Sequence, residues 1–310
     1  MPQLSLIIPT FNRQQKVVRA VRSILDQNFK GELEVLIVDD GSTLPISLPG
    51  ELVSDSRVKV MRRDQTLGPG AGRNAGLTAG KGEWIGFLDS DDYLLPDTLN
   101  RRFVDALEDQ SRRTNPLALY TCGWVEVSQE GMIQRTRHPR SPPGRDGFAG
   151  GCWFCAGSTI LFKRAPMLAA VGLQDEGPPR LEDSDWTLRF GLTKGELVVQ
   201  PIVAVAIELS SRPPAEKIYA SCDILTDKWR QRLDAGNLPV SHYQRLLAYL
   251  DVERGLAALT SGRPIAGTCF LARSWLRRPR MTWHVSPGWR RDQEADGKTA
   301  LSQSGDYGRS

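Results

Sequence analysis

The sequence predicts an α/β protein with an open, mostly parallel sheet whose faces are covered by helices. Short apolar runs rich in β-branched residues recur along the first part of the chain, as is typical of buried strands. Stretches with apolar residues at helical spacing separate several of these runs, and the connections are long enough for parallel crossovers. Acidic or glycine-rich turns follow some runs, at the points where a strand would leave the sheet.

The first part of the chain alternates between strands and helices. Strands are predicted over Leu4–Ile8, Leu33–Val38, Val58–Met61 and Trp84–Leu88. Asn12–Asn28 has its apolar residues on one helical face, and Gly68–Gly80 is predicted to be a loop that leads into a helix. This order predicts a crevice at the carboxyl ends of the strands, where open α/β sheets bind ligands.

The rest of the chain continues this pattern and then becomes helical. Strands are predicted over Leu117–Val127, Ser158–Phe162 and Val198–Ile207, and helices over Pro96–Glu108, Ala165–Val171 and Leu181–Leu192. The Pro/Gly/Arg-rich stretch Arg137–Gly151 is predicted to be a mobile loop. Three more helices are predicted over Ala215–Leu233, His242–Thr260 and Pro264–Leu276, and the polar composition from about Asp292 predicts a flexible tail.

The composition is that of an ordinary globular protein, with one uneven feature. The 310 residues are 40% hydrophobic and 25% charged, with a net charge of +4. The stretch Arg263–Arg291 contains seven arginines and no acidic residue. Such a stretch suits an anionic membrane surface or a polyanionic acceptor, and it is equally compatible with a solvated basic face. No nucleic-acid reading motif is visible, so we expect no nucleic-acid partner.

The cysteines and the hydropathy predict a cytoplasmic protein without a membrane span. Cys152 and Cys155 form a C-x-x-C pattern, but no second pair follows at zinc-ligand spacing, so reduced thiols are expected. No window approaches the roughly 18–20 consecutive apolar residues of a spanning helix. The residues after Met1 lack the basic start and long apolar run of a signal peptide.

Two groups of carboxylates follow predicted strands. Asp39 and Asp40 end the second strand, and the run Asp89–Asp92 ends the fourth. If these strands are parallel, the carboxylates converge on one crevice, and a site that collects them usually holds a cation. Oxygen ligands suit Mn²⁺ or Mg²⁺ bridging a diphosphate. The alternative is that both groups only form turns and helix caps.

Four segments resemble the family 2 glycosyltransferases, in that family's order and spacing. They are Leu4–Arg13, Val35–Ser42, Gly72–Gly76 and Trp84–Tyr93. The resemblance covers roughly residues 3–210 and implies the GT-A fold, with a Rossmann-like, mostly parallel central sheet flanked by helices. We therefore expect a catalytic domain over residues 1–210, divided near 95 into nucleotide-sugar and acceptor halves. A helical, basic C-terminal extension over 211–291 and a tail over 292–310 would follow.

The resemblance also implies roles for individual residues. The nucleotide-sugar pocket would be formed by Pro9, Thr10, Asn12, Asp39, Arg73, Asn74, Asp89 and Ser90. Asp39 would contact the base or ribose, with Asp40 supporting the turn. Asp91 would bind the metal ion directly, while Asp89 would contact the ribose or a metal-bound water. Asp92 would add charge or cap a helix.

A second acidic element, Arg180–Arg189, resembles the family's segment beneath the acceptor. Asp183 matches the catalytic base, and Glu182 and Asp185 are alternates. An acceptor hydroxyl is a poor nucleophile, so a carboxylate within about 3 Å is needed to take its proton. The alternative is an acid-rich helix N-terminus that is favoured by the helix dipole. Trp153 and Trp186 are candidates for stacking on an acceptor sugar, or are ordinary core residues.

These inferences predict a metal-dependent, inverting transferase. It would move a sugar from a nucleoside-diphosphate donor, most commonly a UDP-sugar in the family it resembles, to a hydroxyl of a glycan or lipid-linked acceptor. Bacterial surface polysaccharide assembly, peripheral to the inner face of the cell membrane, is the expected setting. The C-terminal helices would either bind that membrane or act as a lid. The alternatives are a nucleotidyltransferase-like enzyme and a non-catalytic nucleotide-sugar-binding module.

Overall fold

The computed structural model describes residues 2–142, 144–210 and 213–279. The predicted tail over 292–310 and the final part of the basic stretch, residues 280–291, lie outside the described residues.

The first half forms a parallel sheet. Strands β1 (Leu4–Thr10), β2 (Leu33–Asp39), β3 (Val58–Arg62) and β4 (Trp84–Phe87) lie in the order β3-β2-β1-β4. Helices α1 (Gln14–Leu25), α2 (Gly50–Val53) and α3 (Pro69–Ala79) connect them. All three pairings are parallel, and the register places Thr10 beside Asp39. The carboxyl ends of the strands therefore meet at one edge of the sheet.

The second half extends the same sheet with mixed pairing. Its strands are β5 (Tyr93–Leu94), β6 (Ala118–Val127), β7 (Ile133–Arg137), β8 (Leu161–Lys163) and β9 (Glu196–Glu208), and its helices are α4 (Leu99–Ser111), α5 (Arg164–Ala170) and α6 (Glu182–Gly191). Strand β8 runs antiparallel to both β4 and β6, whereas β6 and β9 are parallel. β5 pairs with β9, and β7 pairs with β6. A short 3₁₀ helix, Arg145–Gly150, lies within the predicted loop.

Three long helices complete the described chain. They are α7 (Ala215–Asp234), α8 (Val240–Thr260) and α9 (Pro264–Arg277). Helices α7 and α8 share an apolar core with the second half, in which Trp229 and Leu250 are fully buried together with Leu188 of α6. None of the described helices is both long and apolar enough to cross a membrane. The expected α/β fold with C-terminal helices is confirmed.

The arginines of α9 and its N-cap have partners inside the C-terminal helices. Arg273 and Arg277 both bind the buried carboxylate of Asp251 on α8, the latter at 2.9 Å. Arg263 approaches Glu216 at 3.8 Å. Three of the four arginines in the described part of the basic stretch thus pair with carboxylates of α7 or α8, although the side chains of Arg263 and Arg273 remain 57% and 48% exposed. The helix α9 also exposes large apolar side chains, since Ile265 is 81% and Leu276 is 74% exposed.

The packing of α3 on β1 depends on a glycine. A Cβ added at Gly76 would lie 2.3 Å from Cγ2 of the buried Ile7. We expect Gly76→Ala to destabilise the protein by about 1–3 kcal/mol, because overpacking outweighs the gain in helix propensity. Gly50→Ala at the start of α2, where no atom lies within 4 Å, is the matched control. Urea unfolding of both variants tests this, and equal midpoints would contradict it.

Candidate active site

A cavity of about 960 Å³ opens at the carboxyl edge of the sheet. Three parts of the chain line it. The first half contributes the ends of β1 and β4 with the start of α3, the second half contributes the start of α6, and the C-terminal helices contribute α7 and α8. Side chains predicted for the donor side and for the acceptor side therefore face one space.

The two carboxylates after β2 lie in different surroundings. Asp39 is fully buried and accepts hydrogen bonds from the backbone N–H of Ser42 at 2.9 Å and of Ile46 at 3.2 Å. Burial raises its pKa, but these bonds and the Arg62 ion pair at 2.7 Å leave the pKa lowered. Asp39 thus holds the turn, whereas Asp40, predicted only to support it, lines the cavity.

The loop after β1 presents a buried hydroxyl without a partner. Pro9 and Thr10 both line the cavity, and Oγ1 of Thr10 has no hydrogen-bond partner among the described residues. A buried polar atom of this kind is costly unless something binds it. Asn12 has a positive φ of 53° and joins the loops after β1 and β2. Its N–H donates to Oγ of Ser42 at 2.9 Å, and its Oδ1 accepts from the N–H of Thr43 at 2.8 Å.

Arg73 connects the two halves of the cavity. Its guanidinium is buried and pairs with Asp89 at 2.6 Å and with Glu182 of α6 at 2.8 Å. Burial lowers its pKa, but the two carboxylates outweigh burial and raise it. The neighbouring Asn74 was predicted to line the nucleotide-sugar pocket, but it does not line the cavity. It lies on the face of α3 turned to the second half, where it donates to the backbone carbonyl of Gln174 at 2.9 Å.

The acidic run at the end of β4 is strongly charged and mostly buried. Asp91 pairs with Arg13 at 2.7 Å, and Asp89 and Ser90 line the cavity. Burial and the nearby Asp89 charge raise the pKa values of both Asp91 and Asp92. Asp92 does not cap a helix. It accepts from Oγ of Ser158 at 2.5 Å and from the N–H of Glu208 at 3.1 Å, which ties the run to the second half.

The donor set of this run fits a hard divalent cation. Burial and the Asp89 charge raise the cost of ionising Asp91, which a cation between the two carboxylates would relieve. No group of three or more acidic, histidine or cysteine side chains within the described ranges is arranged to hold a metal. Two carboxylates suffice for Mg²⁺ or Mn²⁺, because such ions complete their shell with waters and substrate phosphates.

Among the three acidic residues at the start of α6, Asp183 is the one without an ion pair to any residue that the structure describes. It lines the cavity and accepts the N–H of Ser184 at 2.7 Å. Burial, followed by the charge of Glu182, raises the pKa of Asp183 to about 6. Glu182 is bound to Arg73. Asp185 is fully buried behind the cavity, bound to Trp229 at 3.0 Å and to Lys228 at 2.8 Å, so this geometry disfavours it as an alternate base.

Neither predicted stacking tryptophan lines the cavity. Trp186 is 1% exposed, and its Nε1 donates to the carbonyl of Gly172 at 3.0 Å, so it has no face free for a sugar. Trp153 packs against Phe148 with ring centroids 5.3 Å apart. The aromatic residue that does line the cavity next to α6 is Tyr249 of α8, whose hydroxyl lies 3.2 Å from Oγ of Ser184. The sequence around Tyr249 contains no motif, so only the packing of α8 shows that this residue lines the cavity.

Two other cavity residues were not assigned a site role from the sequence. Arg13 was considered only as part of a motif, although it lines the cavity and pairs with Asp91. Cys155 lines the cavity near Asp183, and burial raises the pKa of its thiol well above the ordinary value. A buried, protonated thiol is a poor nucleophile, which agrees with the expectation of reduced cysteines.

Comparison with known proteins gives a family match. The family model "Glycosyl transferase family 2" matches residues 5–167, just over half of the chain. A GalNAc(5)-diNAcBac-PP-undecaprenol beta-1,3-glucosyltransferase from Campylobacter jejuni is 39% identical over 111 residues, covering 35% of this chain and 36% of that enzyme. The chain spans about a third of the length of curated relatives at this level of similarity.

Solved structures share the fold at low identity. Staphylococcus aureus TarS superposes with a TM-score of 0.56 at 20% identity, over 82% of this chain and 44% of that chain. A 1–349 form of TarS was crystallised with UDP-GlcNAc (TM-score 0.51, 17% identity, 88% and 89% covered). A Pyrobaculum calidifontis mannosyltransferase was solved with GDP-Man and Mn²⁺. It superposes with a TM-score of 0.54 at 17% identity, over 89% of this chain and 75% of that chain. Together, the family match and these likenesses show that the chain has the GT-A fold and belongs to glycosyltransferase family 2.

Proposed function

We propose that this protein is an inverting, metal-dependent glycosyltransferase that uses a nucleoside-diphosphate sugar, specifically a UDP-sugar. The acceptor would be a hydroxyl of a glycan or a lipid-linked glycan in bacterial surface polysaccharide assembly. The observation that carries this proposal is the shared cavity. Asp89 and Asp92 after β4 line the same cavity as Asp183, and Arg73 links the two sides.

The donor side would bind the nucleotide diphosphate. Thr10 offers a buried hydroxyl without a partner, and Asp89 and Ser90 line the cavity beside it. Asp91 and Asp89 would hold Mn²⁺ or Mg²⁺, which when bound neutralises charge on the departing diphosphate. The fixed cation of Arg73 keeps Asp89 in place at this edge. These residues prepare the site for a dianionic leaving group, which water alone would stabilise poorly.

The acceptor side would activate the hydroxyl. Asp183 is mostly ionised at neutral pH because its pKa of about 6 lies below 7, yet it is basic enough to accept a proton. It would take the hydroxyl proton as the oxygen attacks the anomeric carbon from the face opposite the diphosphate. A single displacement of this kind inverts the anomeric configuration. No covalent sugar–enzyme intermediate is needed.

The relatives support the donor, metal and acceptor parts of the proposal. TarS was crystallised with UDP-GlcNAc, and the mannosyltransferase with a nucleoside-diphosphate sugar and Mn²⁺. The name of the Campylobacter enzyme describes a lipid-linked glycan acceptor. The exposed apolar residues Ile265 and Leu276 of α9 support peripheral contact with the inner face of the membrane.

A donor screen with metal removal tests this function. We expect nucleoside diphosphate release to be fastest with a UDP-sugar and Mn²⁺ or Mg²⁺. EDTA should slow it by about two orders of magnitude or more, since a metal ion contributes several kcal/mol of charge stabilisation. Asp91→Asn should show the same loss, whereas Asp227→Asn on the exposed side of α7 is the matched control. No turnover of any donor under any metal condition would overturn the proposal, and full activity in EDTA would remove the metal from it.

A further inference from the structure

The C-terminal helix α8 reaches the residue next to the proposed base. Tyr249 lines the cavity, and its hydroxyl lies 3.2 Å from Oγ of Ser184. Ser184 in turn donates its backbone N–H to Oδ1 of Asp183 at 2.7 Å. Tyr249 therefore contacts the first turn of α6 at the point where that turn carries its cavity-facing carboxylate.

The ring of Tyr249 packs against Gly151, at a position where no other residue would fit without strain. Gly151 has a φ of +94°, and a Cβ there would lie 2.5 Å from the Tyr249 ring. The ring thus packs directly on the backbone of Gly151, and the same residue lines the cavity. This contact gives a role to the Gly-Gly sequence before Cys152, which had no assigned function.

A second set of contacts ties the same turn to the C-terminal helices. The buried carboxylate of Asp185 binds Nε1 of Trp229 at 3.0 Å and Nζ of Lys228 at 2.8 Å, both on α7. Glu182, on the other side of the turn, is bound to Arg73. The position of Asp183 is thus set by the first half of the chain from one side and by α7 and α8 from the other.

We propose that Tyr249 is a positioning residue for the transfer step and forms the acceptor wall of the cavity. Its hydroxyl holds Ser184, and through it the orientation of Asp183, while its ring limits which acceptors fit beside the sugar. This inference rests on the proposed function, because it takes Asp183 as the base. It gives the C-terminal helices a part in the reaction that a simple packing role does not include.

Steady-state kinetics of four variants test the hydroxyl. The donor is the UDP-sugar that is turned over fastest in the screen. The acceptor is either a p-nitrophenyl glycoside from a panel or water, whichever gives the higher rate of nucleoside diphosphate release. We expect Tyr249→Phe to lower kcat about three- to tenfold, the cost of one hydrogen bond, at unchanged donor KM and unchanged Tm. Ser184→Ala should give the same loss, and the double variant no further loss. Tyr243→Phe is the control, since its hydroxyl binds the carbonyl of Thr226 on α7 at 3.4 Å.

Tyr249→Ala tests the ring. If the acceptor is a glycoside, removing the ring should raise the KM for the glycoside at least tenfold. If the acceptor is water, it should lower kcat at least as much as Tyr249→Phe does. Additive losses in the double variant, wild-type kinetics in Tyr249→Phe, or losses that only follow a falling Tm would overturn the inference. A wild-type protein that turns over no donor would instead overturn the proposed function, so the two failures are distinguishable.

Discussion

Asp183→Asn is expected to keep donor binding and to lower sugar transfer by about 10²–10⁴-fold, the usual contribution of a general base. The amide has the same shape as the carboxylate and can still accept the N–H of Ser184, but it cannot take a proton from the acceptor. Calorimetric titration with UDP and Mn²⁺ measures the binding part, and kcat measures the transfer part.

The pH profile provides an independent check on the same residue. With the pKa of Asp183 raised to about 6, kcat/KM should fall about tenfold per pH unit below that value, and this acid limb should be absent in Asp183→Asn. The pH dependence of stability runs in the opposite direction to that of activity. An unfolded aspartate titrates near 3.8, so the raised pKa favours folding at low pH, and this contribution is lost as the pH rises through about 6. Asp183→Asn should therefore be at least as stable as the wild type at pH 8.

Two outcomes would change the assignment of the base. Unchanged turnover in Asp183→Asn would move the role to Glu182, the other acidic residue of this turn that lines the cavity. A comparable loss in Asp185→Asn without a loss of stability would also contradict the geometry, because Asp185 is buried behind the cavity with its own partners.

Arg73→Met is expected to destabilise the protein by about 3–5 kcal/mol, the range for removing one partner of a buried ion pair. The cost arises mainly at Glu182, whose side chain is 8% exposed, because Asp89 at 36% exposure can be partly solvated by water. Urea unfolding monitored by fluorescence measures it. Arg73→Lys should recover only part of the loss, since a single ammonium cannot reproduce the fork that reaches both carboxylates.

Matched variants separate this ion pair from a general effect of losing an arginine. Arg164→Met, at a partly exposed site bonded to a backbone carbonyl at 3.4 Å, should stay within about 0.5 kcal/mol of the wild type. Adding Glu182→Gln to Arg73→Met should restore part of the stability, because it removes the uncompensated charge. If Arg73→Met unfolds at the same urea concentration as Arg164→Met, the buried pair does not stabilise the fold.

Most of the strands and the family were predictable because their signals are local. The apolar runs that end at Asp39 and at Asp89 are β2 and β4, and their carboxyl ends do meet at one edge. Strand β7, Ile133–Arg137, was missed because this polar segment pairs only with β6 and lacks an apolar pattern. Strand β5 was missed because it is only two residues long.

Side-chain directions within the site depended on packing that the sequence does not display. Asn74 adjoins Arg73 in the same motif, yet it points to Gln174, a hundred residues away. Trp186 follows the acidic turn but faces the core, where its ring lies 5.6 Å from Phe162. Tyr249 reaches the cavity only because α8 folds back onto α6. Motif position thus predicts where a residue lies along the chain, and tertiary contacts decide which space it faces.

The apolar core shared by α6, α7 and α8 has a consequence for how such an enzyme can diversify. Tyr249 of α8 forms the proposed acceptor wall, and Trp229 of α7 binds Asp185 in the turn that carries the proposed base, so one helix pair serves both. A C-terminal helix pair therefore cannot be exchanged as an independent module to redirect the enzyme to a new acceptor. Any such exchange must also change the residues of α6 that pack against α7 and α8. A change in acceptor specificity is therefore coupled to a change in the stability of the fold.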